Sequence, residues 1–502
     1  PIKSSAASDV YKRQALDNSN RNLSDILVKQ YLQILKQTLL ELDDTTRNRI
    51  QEVFAIARRN SRTNIPINEL ITNYYSELKI LFPIWISFPE LIAQTLPLKE
   101  DIFDYGIFDE SSQIFMEHAY PIVYRCKINI VAGDDKQLRP TSFFLNRIND
   151  SMQEYAYNDN DQVESLLDRA KVALWPEYHL RNHYRSIHRD LIQFSNDFIY
   201  DHNLHFVTKN GTPNNVFEVL NVDGACVDGI NDTEANAIFE LLKQNIDRYE
   251  KIIVVCFGSK QSNYIEQIIQ NNSVKEQAIY AKYLNGDLVV SNLENSQGNE
   301  ADLVILSVTY GKGEMNNFRN TFGPLLADGG SNRLNVAITR ARTKMIVVKS
   351  FLVDEMTYNQ SNPNAKVLRE FINYCDSIDM LQQQHKLIRT NNSVTSLIHD
   401  DLQHIINDQM EGRKDLYVVK NYDIGSKVLD FAFLDKKTYQ TRFAIMINKL
   451  QHDSDVVSLF ETMDNYKFLI DRGYKVYLLD EHYWLKNRNN VAERLVNYLK
   501  TL

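Results

Sequence analysis

Tyr105-Gly106-Ile107-Phe108 runs into Asp109-Glu110-Ser111-Ser112-Gln113, and Ile128-Asn129-Ile130-Val131-Ala132 runs into Gly133-Asp134-Asp135-Lys136-Gln137-Leu138-Arg139-Pro140. Two short apolar runs that each end in an acidic turn read as buried parallel strands. In open α/β sheets the ligand site lies at the carboxyl ends of such strands. The chemistry at these tips suits nucleotide hydrolysis. A carboxylate there can hold Mg²⁺ on the β- and γ-phosphates, and its neighbour can orient or deprotonate water. Asp109 takes the first role and Glu110 the second. Gln113 and Gln137 are neutral amides that reach phosphate or water without adding negative charge.

Taken together, the two blocks resemble motifs II and III of superfamily 1 helicases of the up-frameshift type, a DEAxQ-like sequence followed by GDxxQLxP. Three further blocks follow in the family's order. Leu180-Arg181-Asn182-His183-Tyr184-Arg185-Ser186 resembles motif IV, Gln297-Gly298-Asn299-Glu300-Ala301-Asp302 resembles motif V, and Asn332 to Arg342 (NRLNVAITRAR) resembles motif VI. The resemblance covers roughly residues 60–350. It implies two RecA-like P-loop NTPase domains that bind ATP with Mg²⁺ and translocate on single-stranded or duplex nucleic acid.

By the same resemblance Arg185 and Arg340 stabilise charge on the transferred phosphoryl group. Asp134, Gly298, Glu300 and Arg342 join Gln113 and Gln137 around the nucleotide, and Ser87 and Thr141 contact nucleic acid. Gly298 lets backbone approach closely, and Glu300 can accept from a ribose. One element of the family is absent from these 502 residues: there is no GxxxxGK[ST], so neither the phosphate-cradling loop nor its lysine is in the chain. The first RecA-like domain is therefore expected to be incomplete. The expected partner is an N-terminal part of the same protein carrying that loop.

Composition bounds the alternatives. Hydrophobic content is 43% and charged content 24%, which describes a globular protein, and 502 residues hold roughly three domains. No apolar run approaches the ~20 residues of a membrane helix, so no membrane partner is expected. The four cysteines are widely separated and the eleven histidines form no HExxH, so reduced thiols and a cytoplasmic location are expected. The net charge of −9 carries no globally basic signature, but a nucleic-acid groove needs only local charge.

Residues 1–14 match no periodicity and resemble a translated adaptor junction, so they are expected to stand outside the fold, with the true start expected upstream. The expected organisation is then 15–150 for the later part of the first RecA-like domain and 151–352 for the second. A linker over 353–392, polar over Asp354–Asn364 and helical over Lys366–Ile378, and a separate small α/β module over 393–502 complete it. A helix is expected from 23 to 56 and a strand over Ile80–Ser87. The module reads as helix, three strands, helix, strand, helix, which resembles the restriction-endonuclease-like (Vsr-like) domain at the carboxyl end of large bacterial helicases. Ile424 to Asp430 matches its GxxxxD hairpin. Its active site reads as degenerate, because Asn448 stands where a second acidic ligand to Mg²⁺ is needed beside Asp430. The rival to the helicase reading is a non-hydrolysing nucleic-acid-binding module.

Overall fold

The apolar runs before the acidic turns form two parallel strands, but not the buried ones expected: Tyr105, Ile107, Ile128 and Ile130 are exposed. A computed structural model describes residues 25–58, 66–140, 165–213, 215–315, 317–318, 321–386, 390, 396, 398–411, 413–448 and 456–500. The chain divides into two units, residues 1–135 with 139–177, and residues 136–138 with 178–502.

In the first unit β1 (Phe103–Phe108) pairs in parallel with β2 (Cys126–Val131), in a register that sets Tyr105 beside Ile128 and Ile107 beside Ile130. The crossover is the helix α2 (Met116–Arg125). The helix α1 (Ile67–Leu81) precedes β1, and α3 (Leu166–Val172) closes the unit. Phe108, Ala119 and Leu166 make its small core. The expected strand over 80–87 does not form. Residues 80–81 end α1 and 82–88 run unpaired, with Pro83 lacking the N–H that a ladder needs. The expected helix over 23–56 is broken at residues 42–43 into helices over 25–41 and Asp44–Arg58.

The second unit is built on a five-stranded sheet of β3 (Phe217–Asn221), β4 (Ile252–Cys256), β5 (Leu288–Asn292), β6 (Ala301–Ser307) and β7 (Ala341–Lys349). Its order is β3-β7-β6-β4-β5 and all pairings are parallel. The β-branched run of β4 shows why. Every residue of β4 is buried, and alternate side chains enter different clusters, Ile253 and Val255 on one face, Ile252, Val254 and Cys256 on the other. Helices α4 (Asp232–Asn245) and α5 (Ser259–Asn271) cover the second face, and α6 (Gly330–Ile338) and α7 (Pro363–Lys386) cover the first. Each such Ile or Val contributes roughly 1.5–3 kcal/mol on burial.

The linker expected over 353–392 is largely this last helix. Leu368, Phe371, Ile372, Cys375 and Ile378 on α7 recur at helical spacing and lie in the sheet's core. The boundary between units falls at 177/178 rather than at 150/151.

The C-terminal module has its elements in the expected order: α8 (His399–Met410), β8 (Leu416–Asp423), β9 (Val428–Asp435), β10 (Thr441–Asn448), α9 (Val456–Asp471), β11 (Val476–Asp480) and α10 (Glu481–Leu499). The sheet order is β11-β10-β9-β8, with β10 and β11 parallel and the other pairs antiparallel. It is not an island after a linker. The module and the five-stranded sheet form one unit, held together by buried hydrogen bonds given below.

Candidate functional site

The strand-end turns of the first unit are joined to each other. Ser111 is fully buried and donates twice to the Ala132 carbonyl, from its amide (2.9 Å) and from Oγ (2.7 Å). A Cβ on Gly133 would lie 2.6 Å from Ser111 Oγ, so only glycine lets the turns approach this closely. The result leaves Asp109 and Glu110 exposed at the carboxyl end of β1, with Asp134 half-buried after β2. Glu110 is held in the left-handed region at φ 50°, a conformation that costs an ordinary side chain energy and clusters at functional sites. Its amide donates to Asp109 Oδ1 (2.9 Å), and Gln113 Nε2 reaches its carboxylate at 3.5 Å. Asp135 is engaged elsewhere, by Lys171 of α3 at 2.8 Å.

Among the described residues no group of three His, Cys, Asp or Glu side chains is placed to hold a metal. Asp109 and Glu110 nonetheless fit Mg²⁺ of the kind that keeps its waters and binds chiefly through phosphate oxygens, which needs one or two carboxylates from the protein. Ser87 is exposed on the unpaired segment before the helix Pro89–Thr95. Thr141 lies outside the described residues.

The second unit brings three of the blocks into one cluster. Glu300 accepts from Arg185 Nε at 2.9 Å and pairs with Arg342 at 3.5 Å, while Arg342 also reaches Asp302 at 2.9 Å. Arg185 further donates to the Thr339 carbonyl at 3.3 Å. Glu300, expected to meet a ribose, thus lies between two guanidiniums. Arg340 is only 2% exposed; its Nε donates to the Val336 carbonyl (2.7 Å) and an Nη to that of Asn299 (3.3 Å). Gly298 has φ +80° with nothing within 4 Å of a would-be Cβ, so the turn requires glycine for its backbone angle and not for room. Residues 136–138 lie against the same elements. Gln137 presents its carbonyl to Asn332 Nδ2 (2.6 Å), Lys136 its carbonyl to Asn335 Nδ2 (2.8 Å), and the Leu138 amide donates to Gln297 Oε1 (3.2 Å).

The loop carrying Arg185 is clamped from the C-terminal module, which the sequence did not disclose. Buried Arg472 donates to the carbonyls of Ser186 (2.7 Å) and His183 (2.6 Å), and Phe468 packs edge-on against Tyr184. Opposite, Ser186 Oγ donates to the Ala341 carbonyl and the Ile187 amide to that of Arg342. Burial, reinforced by Arg185 and Arg472, pushes the His183 imidazole down to about 3, so it stays neutral and its Nε2 accepts from the Ser186 amide. Tyr474 donates to the Thr208 carbonyl, and Asn210 bonds across to Thr441.

Asp430 is buried on β9 with both oxygens engaged. His399 Nδ1 accepts from the Ser396 amide (2.9 Å), which leaves Nε2–H to donate to Asp430 at 2.9 Å; the Ile447 amide donates to its other oxygen at 2.7 Å. Asn448 instead donates to Asp480 at 3.0 Å.

Another buried carboxylate carries no motif. Glu234 accepts from Ser307 Oγ and the Thr309 amide, both at 2.8 Å, yet full burial outweighs these bonds and raises its carboxyl to about 7.

Residues 218–351, which hold the five-stranded sheet, match the family model for an AAA domain (AAA_12). Over 371 residues the chain is 33% identical to "Uncharacterized ATP-dependent helicase MG140" of Mycoplasma genitalium, covering 69% of this chain and 32% of that protein. The Mycoplasma pneumoniae homolog of MG140 is 32% identical over 381 residues, covering 70% and 33%. "Uncharacterized ATP-dependent helicase MJ0104" of Methanocaldococcus jannaschii is 26% identical over 290 residues, covering 53% and 39%. The chain spans about a third of the length of these curated relatives. It is a relative of proteins named as ATP-dependent helicases.

Proposed function

We propose that these residues are part of an ATP-dependent superfamily 1 helicase of the up-frameshift type, coupling ATP hydrolysis to movement along single-stranded nucleic acid. The observation that carries this reading is the cluster of Arg185, Glu300, Arg340 and Arg342. Three blocks spread over residues 185 to 342 meet there, near the carbonyls of residues 136 and 137.

Asp109 would hold Mg²⁺ on the β- and γ-phosphates, and Glu110 would orient or deprotonate the attacking water. Gln113 and Gln137 sense phosphate. Arg185 stabilises transition-state charge once it exchanges Glu300 for a phosphate oxygen, so Glu300 acts as its parking partner between turnovers. Arg340 acts from a buried position. The phosphate-cradling loop, absent from these 502 residues, would come from another part of the longer protein, consistent with relatives about three times the matched length.

The C-terminal module is read as restriction-endonuclease-like without nuclease chemistry, since buried Asp430 already accepts from His399 and the Ile447 amide and its neighbour Asn448 is no anionic ligand. The test of the whole reading is unwinding of a tailed duplex by the full gene product. ATP-dependent strand separation is expected, and strand binding indifferent to ATP would favour the non-hydrolysing module instead.

A further inference from the structure

We infer that the β9–β10 hairpin and the start of β8 form a docking platform for single-stranded nucleic acid, separate from the residues assigned to ATP hydrolysis. Tyr417 and Tyr439 stack with ring centroids 6.1 Å apart and planes 18° apart. Both are exposed, at 41% and 55%. Lys436 Nζ sits 4.9 Å over the Tyr417 ring. Residues 413–417 and 435–442 hold five cations, Arg413, Lys414, Lys436, Lys437 and Arg442, against two carboxylates, in a chain whose net charge is −9.

Both carboxylates are neutralised locally. Asp435 accepts from the amides of Lys437 (2.8 Å) and Thr438 (2.9 Å) and from Arg442. Asp415 accepts from Arg413 (3.2 Å) and Arg442 (3.0 Å). What the surface presents is therefore positive charge beside a partly exposed pair of stacked tyrosines. That pairing suits a phosphate backbone with unstacked bases, each base having a face to lay on an aromatic ring.

An independent observation points to the tyrosine ring itself. Tyr439 sits at φ +57°, where a bulky side chain is strained and glycine or asparagine is not. The turn does not need tyrosine. It closes through the Asp435 amide to the Gln440 carbonyl (2.9 Å) and the Tyr439 amide to the Asp435 carbonyl (2.8 Å), bonds that glycine makes equally well. Apart from its stacking on Tyr417, the ring gives the turn nothing in return for the strain, and strained residues of this kind cluster at functional sites. An acidic protein surface would answer the charge but not two nearly parallel exposed rings, so nucleic acid is the favoured occupant. That choice of ligand rests on the helicase reading above.

The experiment uses the 502-residue chain. Irradiation with 5-iodouracil-substituted DNA and RNA oligonucleotides should crosslink Tyr417 or Tyr439, located by peptide mass spectrometry. Tyr439→Gly removes the ring and relieves the turn, so the melting temperature should hold or rise. Affinity by fluorescence anisotropy should meanwhile fall roughly 10-fold, the scale of one lost stacking contact. Tyr439→Phe should bind like wild type. Crosslinks confined to other segments, or undiminished binding by Tyr439→Gly, overturn the platform and leave the helicase reading standing. Crosslinks at the platform with no ATP hydrolysis by the full gene product would uphold the platform and overturn the helicase reading.

Discussion

The carboxylates at the end of β1 and the carboxylate of β9 both belong to apolar strands, yet they differ in every property that matters to a metal. Asp109 and Glu110 are exposed, and Glu110 is held in a strained turn. Asp430 is 4% exposed, with a histidine on one oxygen and a backbone amide on the other. Exposed carboxylates can take up a phosphate-bound Mg²⁺ at the surface, whereas at Asp430 the ion would have to enter the interior and compete with a histidine and a backbone amide. The lesson is that a strand-borne carboxylate declares its role through its partners rather than its motif. The first pair should therefore govern rate and the second stability.

The sharpest contrast should come from Arg185. Its guanidinium is partly exposed and paired with Glu300, and an exposed pair contributes under ~1 kcal/mol. In the full gene product Arg185→Ala should lower kcat about 10³-fold, the scale of a lost arginine in phosphoryl transfer, while the melting temperature stays within about two degrees. Arg340→Ala should behave differently, since it removes a buried guanidinium that donates to the Val336 and Asn299 carbonyls, and stability should fall together with activity.

Asp430→Ala comes next. It strands the His399 N–H and the Ile447 amide in the interior, which should cost roughly 3 kcal/mol, read as a lowered urea midpoint. Nucleic-acid-stimulated ATP hydrolysis at a permissive temperature should be unchanged. A stable Asp430→Ala that lost metal-dependent cleavage would break the comparison by making β9 a working site.

Glu234 offers a pH measurement of similar or smaller size. Its carboxyl holds a proton more tightly folded than unfolded, rising from 4.5 to about 7. The stability it confers is full below about pH 4.5 and is lost as pH rises through about 7, by roughly 3 kcal/mol at most. His183 opposes this below pH 6.5, because its depressed imidazole resists the proton that the unfolded chain takes up. Comparing wild type with Glu234→Gln isolates the glutamate: the variant should lose the decline between pH 4.5 and 7. Smallest should be Arg472→Ala, at about 2 kcal/mol for two buried carbonyl bonds. Its diagnostic is His183, whose NMR titration should move upward once the neighbouring charge is gone.

Much of this was legible because it is local. The β-branched run of β4, the acidic turns after β1 and β2, and the element order of the C-terminal module all follow from short-range pattern. The helical spacing of Leu368, Phe371, Ile372, Cys375 and Ile378 discloses α7, but not that this helix packs into the core of the five-stranded sheet. Other features had no local signal. Arg472 reaches carbonyls nearly three hundred positions earlier, and nothing in Arg-Gly-Tyr discloses that. His399 on α8 faces Asp430 only because β9 and α8 pack together. The commitment of Arg340 to the carbonyls of Val336 and Asn299 is equally invisible in NVAITRAR, where the spacing reads as a ligand.

The most direct measurement sets the two carboxylate sites against each other in the full gene product. ATP hydrolysis stimulated by single-stranded nucleic acid would be followed in wild type, Glu110→Gln and Asp430→Asn, with nucleotide binding measured in parallel. The account predicts that Glu110→Gln binds nucleotide normally and loses turnover by about 10²–10⁴-fold, the range for a general base, and that Asp430→Asn turns over at the wild-type rate. Wild-type turnover in Glu110→Gln would contradict it.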